Sequence, residues 1–289
     1  MSTTPADKRS MSRNQKLLFF LTAWLICLMP FLFWWNTWFG RKLTDQQLTE
    51  YLHDTKKPRH IQQALVQVGE RIGRHDASAR QWYPELVRLS ANPIEEVRNT
   101  DAWVMGQDTA GLGFHDALLA MLNDPSEMVR GNAALSLVRF GDATGRPQIL
   151  ALLQPAQITA PQAGRVIDSD RPGTAIHQGG LIAKMIAKIS SAQPASGDKA
   201  ATLEIRSPIP GRIRSVLGTG ATVTAGSEVA VVDPANDQVW EALRALYLIG
   251  QPDDLAAIRP YERDLPDISN DVRRQAQETE QAIRSRAGS

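Results

Sequence analysis

The sequence of 289 residues contains one cysteine, Cys27. No intrachain disulfide is possible, and a lone thiol does not report the redox compartment. No sign of charge dominates either: 32 Lys and Arg against 31 Asp and Glu leave a net charge of +1. A nucleic-acid partner would ask for a basic face or stripe, and a solvating tail for an acidic block; neither has support. A Gly-x-Ser-x-Gly elbow and a phosphate-cradling glycine loop are also missing. Gly111-Leu-Gly113 is too short for such a loop and reads as a connection between helices. The five histidines are not joined to a cysteine in any zinc spacing. His53 and His60 are separated by Lys56-Lys57-Pro58, which should break a helix, while His75 and His115 fall near predicted helix ends and His177 in a turn before Gly179. The expectation is a non-enzyme with no catalytic residue, no metal and no bound cofactor.

What the chain does have is a long apolar run. Residues 17–39, LLFFLTAWLICLMPFLFWWNTWF, carry no charge. As a helix they would extend roughly 34 Å at 1.5 Å per residue, against a hydrocarbon core of ~30 Å. Trp34, Trp35 and Trp38 cluster at one end, where amphipathic rings suit a membrane interface and would anchor the span. Pro30 would kink it tolerably. A cleaved signal peptide fits less well, since the run is long and no small-x-small site follows. Nor does Cys27 read as a lipidated residue, because bulky Trp24, Leu25 and Ile26 precede it. Lys8, Arg9, Arg13 and Lys16 precede the run and Arg41 and Lys42 follow it, an excess that favours a cytoplasmic N-terminus. The expected organisation is a cytoplasmic tail over 1–16, a transmembrane helix over 17–39 and the remainder outside. In a Gram-negative cell that places a single-pass protein in the inner membrane with its bulk in the periplasm.

After the run, two stretches repeat each other 32 residues apart. Asn92-Pro-Ile-Glu-Glu-Val97-Arg98 leads to Ala102, and Asp124-Pro-Ser-Glu-Met-Val129-Arg130 leads to Ala134. Asp267-Ile-Ser-Asn-Asp-Val272-Arg273 keeps the same Asx-to-Val-Arg spacing. An Asx here can cap a helix and Pro suits a first turn. Val129, Ala133, Leu137 and Phe140 recur at helical spacing. Apolar helices are expected ahead of these, over 82–89 and 114–122, with Gly106, Gly141 and Gly250 near helix ends. Acidic pairs Glu95-Glu96 and Asp253-Asp254 fall in first turns, where they suit the helix dipole. A period of this length with two helices per unit marks an α-solenoid. The Asx-Pro-x-x-x-Val-Arg and Ala-Ala-x-x-Leu features resemble HEAT repeats, over roughly 43–154 and 235–286. The resemblance implies an extended protein-binding surface rather than chemistry. It also implies that Arg98, Arg130 and Arg273 make hydrogen bonds between repeats.

Residues 155–233 break the helical pattern. They are rich in Gly, Pro, Val, Ile and Thr, as strands and turns require. A second internal repeat lies inside, 47 residues apart without a gap. Ile158, Pro161, Gly164, Val166, Gly173, Ile176, Gly179 and Ile182 answer to Ile205, Pro208, Gly211, Ile213, Gly220, Val223, Gly226 and Val229. The pattern Ser/Ala-Pro-x-x-Gly-x-Ile/Val, then Gly-x-x-Val-x-x-Gly, resembles the barrel-sandwich hybrid fold over 157–232. Biotinyl and lipoyl carriers and the membrane fusion proteins of efflux and secretion systems share that fold. The expected fold class is therefore a membrane-anchored α + β protein: a HEAT-like solenoid over 43–154, an inserted barrel-sandwich hybrid over 155–233, and further HEAT-like helices over 234–289. The insertion would fall between helices at 146–153 and 237–249, inside one repeat.

Carriers place a modified lysine on a tight hairpin between the halves. Gly197-Asp198-Lys199-Ala200 occupies that interval, and Asp-Lys-Ala is a common lipoyl setting. Yet Gly179 and Lys199 are 20 residues apart, about twice the carrier spacing, and Ser190–Gly197 reads as a polar loop. No Ala-Met-Lys-Met signature occurs; Lys184-Met185 and Lys188 sit in an apolar strand-like run. Lys199 thus reads as a solvated lysine, with modification the minor alternative. Membrane fusion proteins are the closer parallel, but the connection over 190–201 is too short for their long helical hairpin, and their following β-barrel is missing. The function expected is a membrane-tethered scaffold or accessory subunit of an inner-membrane complex, such as a respiratory one. The partners expected are other membrane or envelope subunits and the lipid bilayer. An envelope-transport adaptor and a Lys199 carrier are the alternatives.

Overall fold

A computed structural model describes residues 13–38, 42–187 and 202–288. Side chains at 15, 16, 27 and 30–38 lie outside the description, as do all of residues 188–201. The chain divides into two compact units that meet in sequence at Leu48 and Thr49.

The first unit contains helix α1 (Arg13–Trp38) and the start of α2 (Asp45–Leu52). Thr44 and Gln47 cap α2 reciprocally: the Thr44 N–H donates to Gln47 Oε1 at 3.1 Å and the Gln47 N–H to Thr44 Oγ1 at 3.3 Å. The expected membrane-anchored class is corrected here. Among the described residues, no helix is long and apolar enough to cross a membrane. A crossing needs about 20 consecutive apolar residues.

The second unit is a stack of helices with a β module set into it. The helices are α3 (Pro58–Gly73), α4 (Tyr83–Leu89), α5 (Glu95–Met105), α6 (Phe114–Met121), α7 (Glu127–Arg139), α8 (Arg146–Ala151), α9 (Asn236–Ile249), α10 (Leu255–Ile258) and α11 (Asn270–Ala287). The odd-numbered members α3, α5, α7, α9 and α11 pack side by side as one layer. The shorter α4, α6, α8 and α10 pack against it, so each long helix follows a short one. This is a helical-repeat fold, in which no unit buries its apolar stripe alone. Val97, Val129 and Val272 of the repeated motif are all buried, as are Ala102, Ala133, Ala134 and Ala276.

The motif's Asx residues do not cap as expected. Asn92 Oδ1 accepts from the Ile94 N–H at 2.9 Å, and Asp124 Oδ1 from the Ser126 N–H at 2.8 Å. These are Asx turns, which orient the chain just ahead of the helix. The caps fall two residues later. Ser126 Oγ accepts from the Val129 N–H and Ser269 Oγ from the Val272 N–H, at 3.4 and 3.2 Å. The motif's arginine then closes the turn: Nη1 of Arg98 donates to Asn92 O and Nη1 of Arg130 to Asp124 O, at 2.8 and 2.7 Å.

The β module comprises β1 (Ala156–Thr159), β2 (Gly164–Ser169), β3 (Ala175–Ile176), β4 (Leu181–Ala187), β5 (Thr202–Arg206), β6 (Gly211–Val216), β7 (Thr222–Val223) and β8 (Glu228–Pro234). They form two antiparallel four-stranded sheets, ordered β1-β8-β6-β3 and β5-β4-β2-β7. Advancing the first sheet by one sequence repeat, with the halves exchanged, reproduces the second. Each sheet therefore draws strands from both halves. The loop bonds obey the same exchange: Ala160 N–H donates to Ser227 O and Ser207 N–H to Gly180 O, at 2.8 and 2.9 Å. Val166, Ile182, Met185, Ile213, Val229 and Val232 fill the core between the sheets. Gly164 and Gly211 are required by close approach. A Cβ at Gly164 would lie 2.3 Å from Ile186 O, and one at Gly211 would lie 1.8 Å from Asp233 O.

The module enters and leaves the helices through adjacent strands, since Ala156 and Val232 are register partners. Around it α8 and α9 still pack together, and Gln238 Nε2 donates to Leu152 O at 3.0 Å; Tyr261 Oη, from the turn after α10, donates to Leu153 O at 2.5 Å. An insertion whose ends lie close leaves its host hairpin intact.

Candidate docking surface

Side chains that ride on the outer side of the long-helix layer follow from helical spacing. On α5 they are Asn99 and Trp103, with Gln107 just past its end; on α7, Asn132, Leu135 and Arg139. Polar members of this face tie neighbouring helices together. Asn132 Nδ2 donates to Asn99 Oδ1 at 2.7 Å, and Arg139 Nη1 to Gln107 Oε1 at 3.1 Å. Beneath them Ser136 Oγ donates to Ala102 O at 2.8 Å. The α9–α11 pair repeats that bond, with Thr279 Oγ1 donating to Leu243 O at 2.9 Å.

The apolar members of this face are unsatisfied. Trp103 is 43% exposed and Val66 on α3 is 42% exposed. The Trp103 ring lies across α3 beside Gly69, one helical turn from Val66. Further along, Tyr247 and Leu248 on α9 are 43% and 61% exposed. With Arg244 they border a groove of about 630 Å³ between α9 and α11, closed on the other side by Gln275, Glu278 and Gln281. The Arg244 guanidinium stacks over Trp240 at 4.7 Å from the ring centre. Aromatic and aliphatic groups standing in water beside amides and a stacked arginine have the composition of a protein contact.

The β module is locked onto this scaffold. Glu95, at the start of α5, accepts from Ser126 Oγ at 2.7 Å and from Gln178 Nε2 of the module at 2.5 Å. Met128 of α7 packs on the module's core. Glu95 therefore does more than face the helix dipole, which is all its place in the first turn suggested. Asp254 likewise exceeds that reading. It is 3% exposed, accepts from Arg146 Nη1 at 3.0 and 3.1 Å, and caps its own turn through Gln251.

Of the three motif arginines, only Arg98 bridges repeats. It holds Asp124 in a bidentate pair, Nε to Oδ2 at 2.6 Å and Nη2 to Oδ1 at 2.9 Å. The hydrogen bond to Asp124 raises Arg98 further above its ordinary range. Burial pushes Asp124 up, but bonds from Arg98 and the Ser126 N–H outweigh it and leave this carboxyl below its usual 3.8. Arg130 and Arg273 depart from the expectation. Arg130 reaches only Asp124 O and Pro125 O, and Arg273 turns to Asp264 and Asn270. Tyr83 donates to Asp108 Oδ2 at 2.6 Å; burial and that carboxylate push the phenol up to about 12.

The histidines are scattered. His60 Nδ1 donates to Asp54 Oδ2 at 2.8 Å while stacked on Tyr51, and His115 pairs with Asp142 at 2.8 Å. Among the described residues no three His, Cys, Asp or Glu side chains converge to hold a metal. Lys199 and the 190–201 connection lie outside the described residues. So do the side chains of Trp34, Trp35 and Trp38, whose backbone belongs to α1.

No family model and no curated protein matches this chain. Among solved structures, an engineered protein is similar over 82% of this chain and 78% of its own, at 15% identity and a TM-score of 0.38. A designed armadillo repeat protein, solved with a (KR)4 peptide, matches over 82% and 80% at 14% identity and a TM-score of 0.39. A single-chain, multi-domain long-chain acyl-CoA carboxylase matches over 52% of this chain but 14% of its own, at 16% identity and a TM-score of 0.24. Likenesses this slight say nothing about function.

Proposed function

We propose that this protein is a non-catalytic scaffold, an accessory subunit whose helical layer takes up a partner protein on its outer face. The observation that carries this is two exposed apolar patches, Val66 with Trp103 on α3 and α5, and Tyr247 with Leu248 bordering the α9–α11 groove beside Arg244. A partner seated there would cover adjoining apolar groups that the isolated chain leaves in water. On this reading the helical units are HEAT repeats and the β module is a barrel-sandwich hybrid. Its two strand-exchanged halves support the second assignment. The module serves as a fixed second wall, because Glu95, Gln178 and Met128 hold it to the repeats. The site of action proposed is the periplasmic face of an inner-membrane complex, a location that does not require this chain to cross the bilayer.

The test is purification from native membranes in mild detergent, with mass spectrometry of what comes along and of the intact chain. A stoichiometric partner that is lost from a folded W103A/L248A double variant supports the proposal. A partner retained in full by that variant refutes this surface. A solitary chain with a lipoyl- or biotinyl-sized mass increment on Lys199 would replace the scaffold reading with a carrier.

A further inference from the structure

Between α10 and α11 the chain makes a short 3-10 turn, Arg259–Glu262, and then an irregular stretch to Ser269. This segment has two faces. One packs on α11, where the Glu262 carboxyl lies against that of Glu280. Glu262 Oε1 is buried there and has no hydrogen-bond partner. Glu280 is itself held by Arg284 Nη2 at 2.6 Å and Arg259 Nε at 3.4 Å. On the other face Pro260, Tyr261, Leu265 and Pro266 form one wall of a cleft of about 520 Å³. The opposite wall is the β module, with Arg212 and Arg214 of β6 and Asp233 of β8. Arg214 is already paired to Asp233, so that wall is fixed by its own ion pair.

We propose that Glu262 and Glu280 form a proton-operated latch between the 259–262 turn and α11, beside the cleft that faces the β module. With a proton between them, one carboxyl donates to the other and the pair carries a single negative charge. Arg259 from the same turn and Arg284 from α11 face that charge. The other helix packed on the turn, α10 (Leu255-Ala-Ala-Ile258), contributes no titratable group. Without the proton, two carboxylates abut and the buried Oε1 is left charged with no donor, which like-charge repulsion and lost hydration both disfavour. Burial, then the bond and charge of Glu280, push Glu262 up to about 7. The bond from Glu262 and the two arginines pull Glu280 below its usual 4.5, against burial. A raised acid favours the folded contact below its ordinary range and loses it as pH climbs through the raised value. The contact's contribution is therefore full below 4.5, falls as pH rises toward about 7 and is gone above it.

Hydrogen–deuterium exchange on the full chain at pH 6 and pH 8, corrected for intrinsic exchange, reads the latch in peptides covering 255–268. The expected wild-type result is a loss of protection at pH 8 of up to roughly tenfold, one pH unit past the transition, with the β-module core unchanged. In E262Q the amide donates to Glu280 at any pH, so protection at pH 8 should match that at pH 6. Equal wild-type protection at both pH values, or an E262Q profile that falls like the wild type's, overturns the proposal. The wild-type comparison stands without the variant should E262Q fail to fold.

Discussion

Replacing Asp101 by alanine should make the protein more stable at neutral pH. Asp101 sits on α5 at 0% exposure, and neither carboxyl oxygen has a hydrogen-bond partner. Burial, followed by the nearby Glu85, raises its pKa well above 3.8, with Arg88 opposing. One repeat further on, 32 residues away, the same place holds Ala133, fully buried and well packed. An unsatisfied buried polar group costs about 1–3 kcal/mol, and alanine leaves only a small void in its place. A gain of that size corresponds to a rise in Tm of roughly 2–4 °C per kcal/mol for a unit of this length. The sign with pH follows from the raised pKa. Below 3.8 Asp101 is protonated folded and unfolded alike, and adds no pH-dependent penalty. As pH rises above that value the unfolded chain releases its proton while the folded chain holds it, so the wild type falls further behind. Urea unfolding of wild type, D101A and D101N at pH 4, 5.5 and 7 separates the two contributions. D101N removes the ionisation but keeps the unmade hydrogen bonds, so its advantage should be confined to the higher pH values. A D101A protein less stable than wild type at pH 7, or an advantage that does not grow between pH 4 and 7, would refute the reasoning.

Three other outcomes are expected. R98A strands Asp124, whose side chain is only 6% exposed, and should cost about 3 kcal/mol in urea unfolding. Because Asp124 is lowered, its contribution is present above pH 3.8 and lost as pH falls through the lowered value; R98A should lack that acid limb. G211A drives a Cβ into Asp233 O and should lower the module's melting temperature sharply, by more than about 3 kcal/mol equivalent, whereas G218A, with nothing within 4 Å, should be tolerated. Replacing the β module, 156–233, by a short Gly-Ser link should leave the helical signal in circular dichroism largely intact, because Ala156 and Val232 are already neighbours; loss of helix content would show that the module nucleates the repeats.

The repeats were legible because their signals are local. An Asx turn, a serine cap and a Val-Arg pair five and six residues on are all local to the first turns of one helix. What this locality concealed was the arginines' reach. Arg98 spans to Asp124 because another repeat follows directly. One repeat after Asp124 comes Ala156, where β1 begins, so Arg130 meets no carboxylate and closes its own turn instead. The Asx residues were misread as caps for a related reason: an Asx turn and an N-cap use the same side-chain oxygen, and only the backbone path two residues on tells them apart. The apolar run of 17–39 carried the expectation of a crossing, but among the described residues no helix is long and apolar enough to make one.

Of the docking face, the four-residue spacing of Asn99 and Trp103 puts them on one side of α5, but no sequence signal marks which side another helix covers. Glu262 and Glu280 carried no sequence signal at all, being 18 residues apart on unlike elements.

By itself the sequence determined what depends on near neighbours. It set helix and strand periods, the two repeat lengths of 32 and 47 residues, and the glycines that turns and close approaches demand. The tertiary structure alone decided how the module's halves exchange strands between two sheets, and how Glu95 is bound to Gln178 across 83 residues. It also decided which carboxyls are left without partners in the interior. Those outcomes rest on contacts between segments far apart in the chain, where loop closure and mutual burial choose among arrangements that local propensity leaves equal.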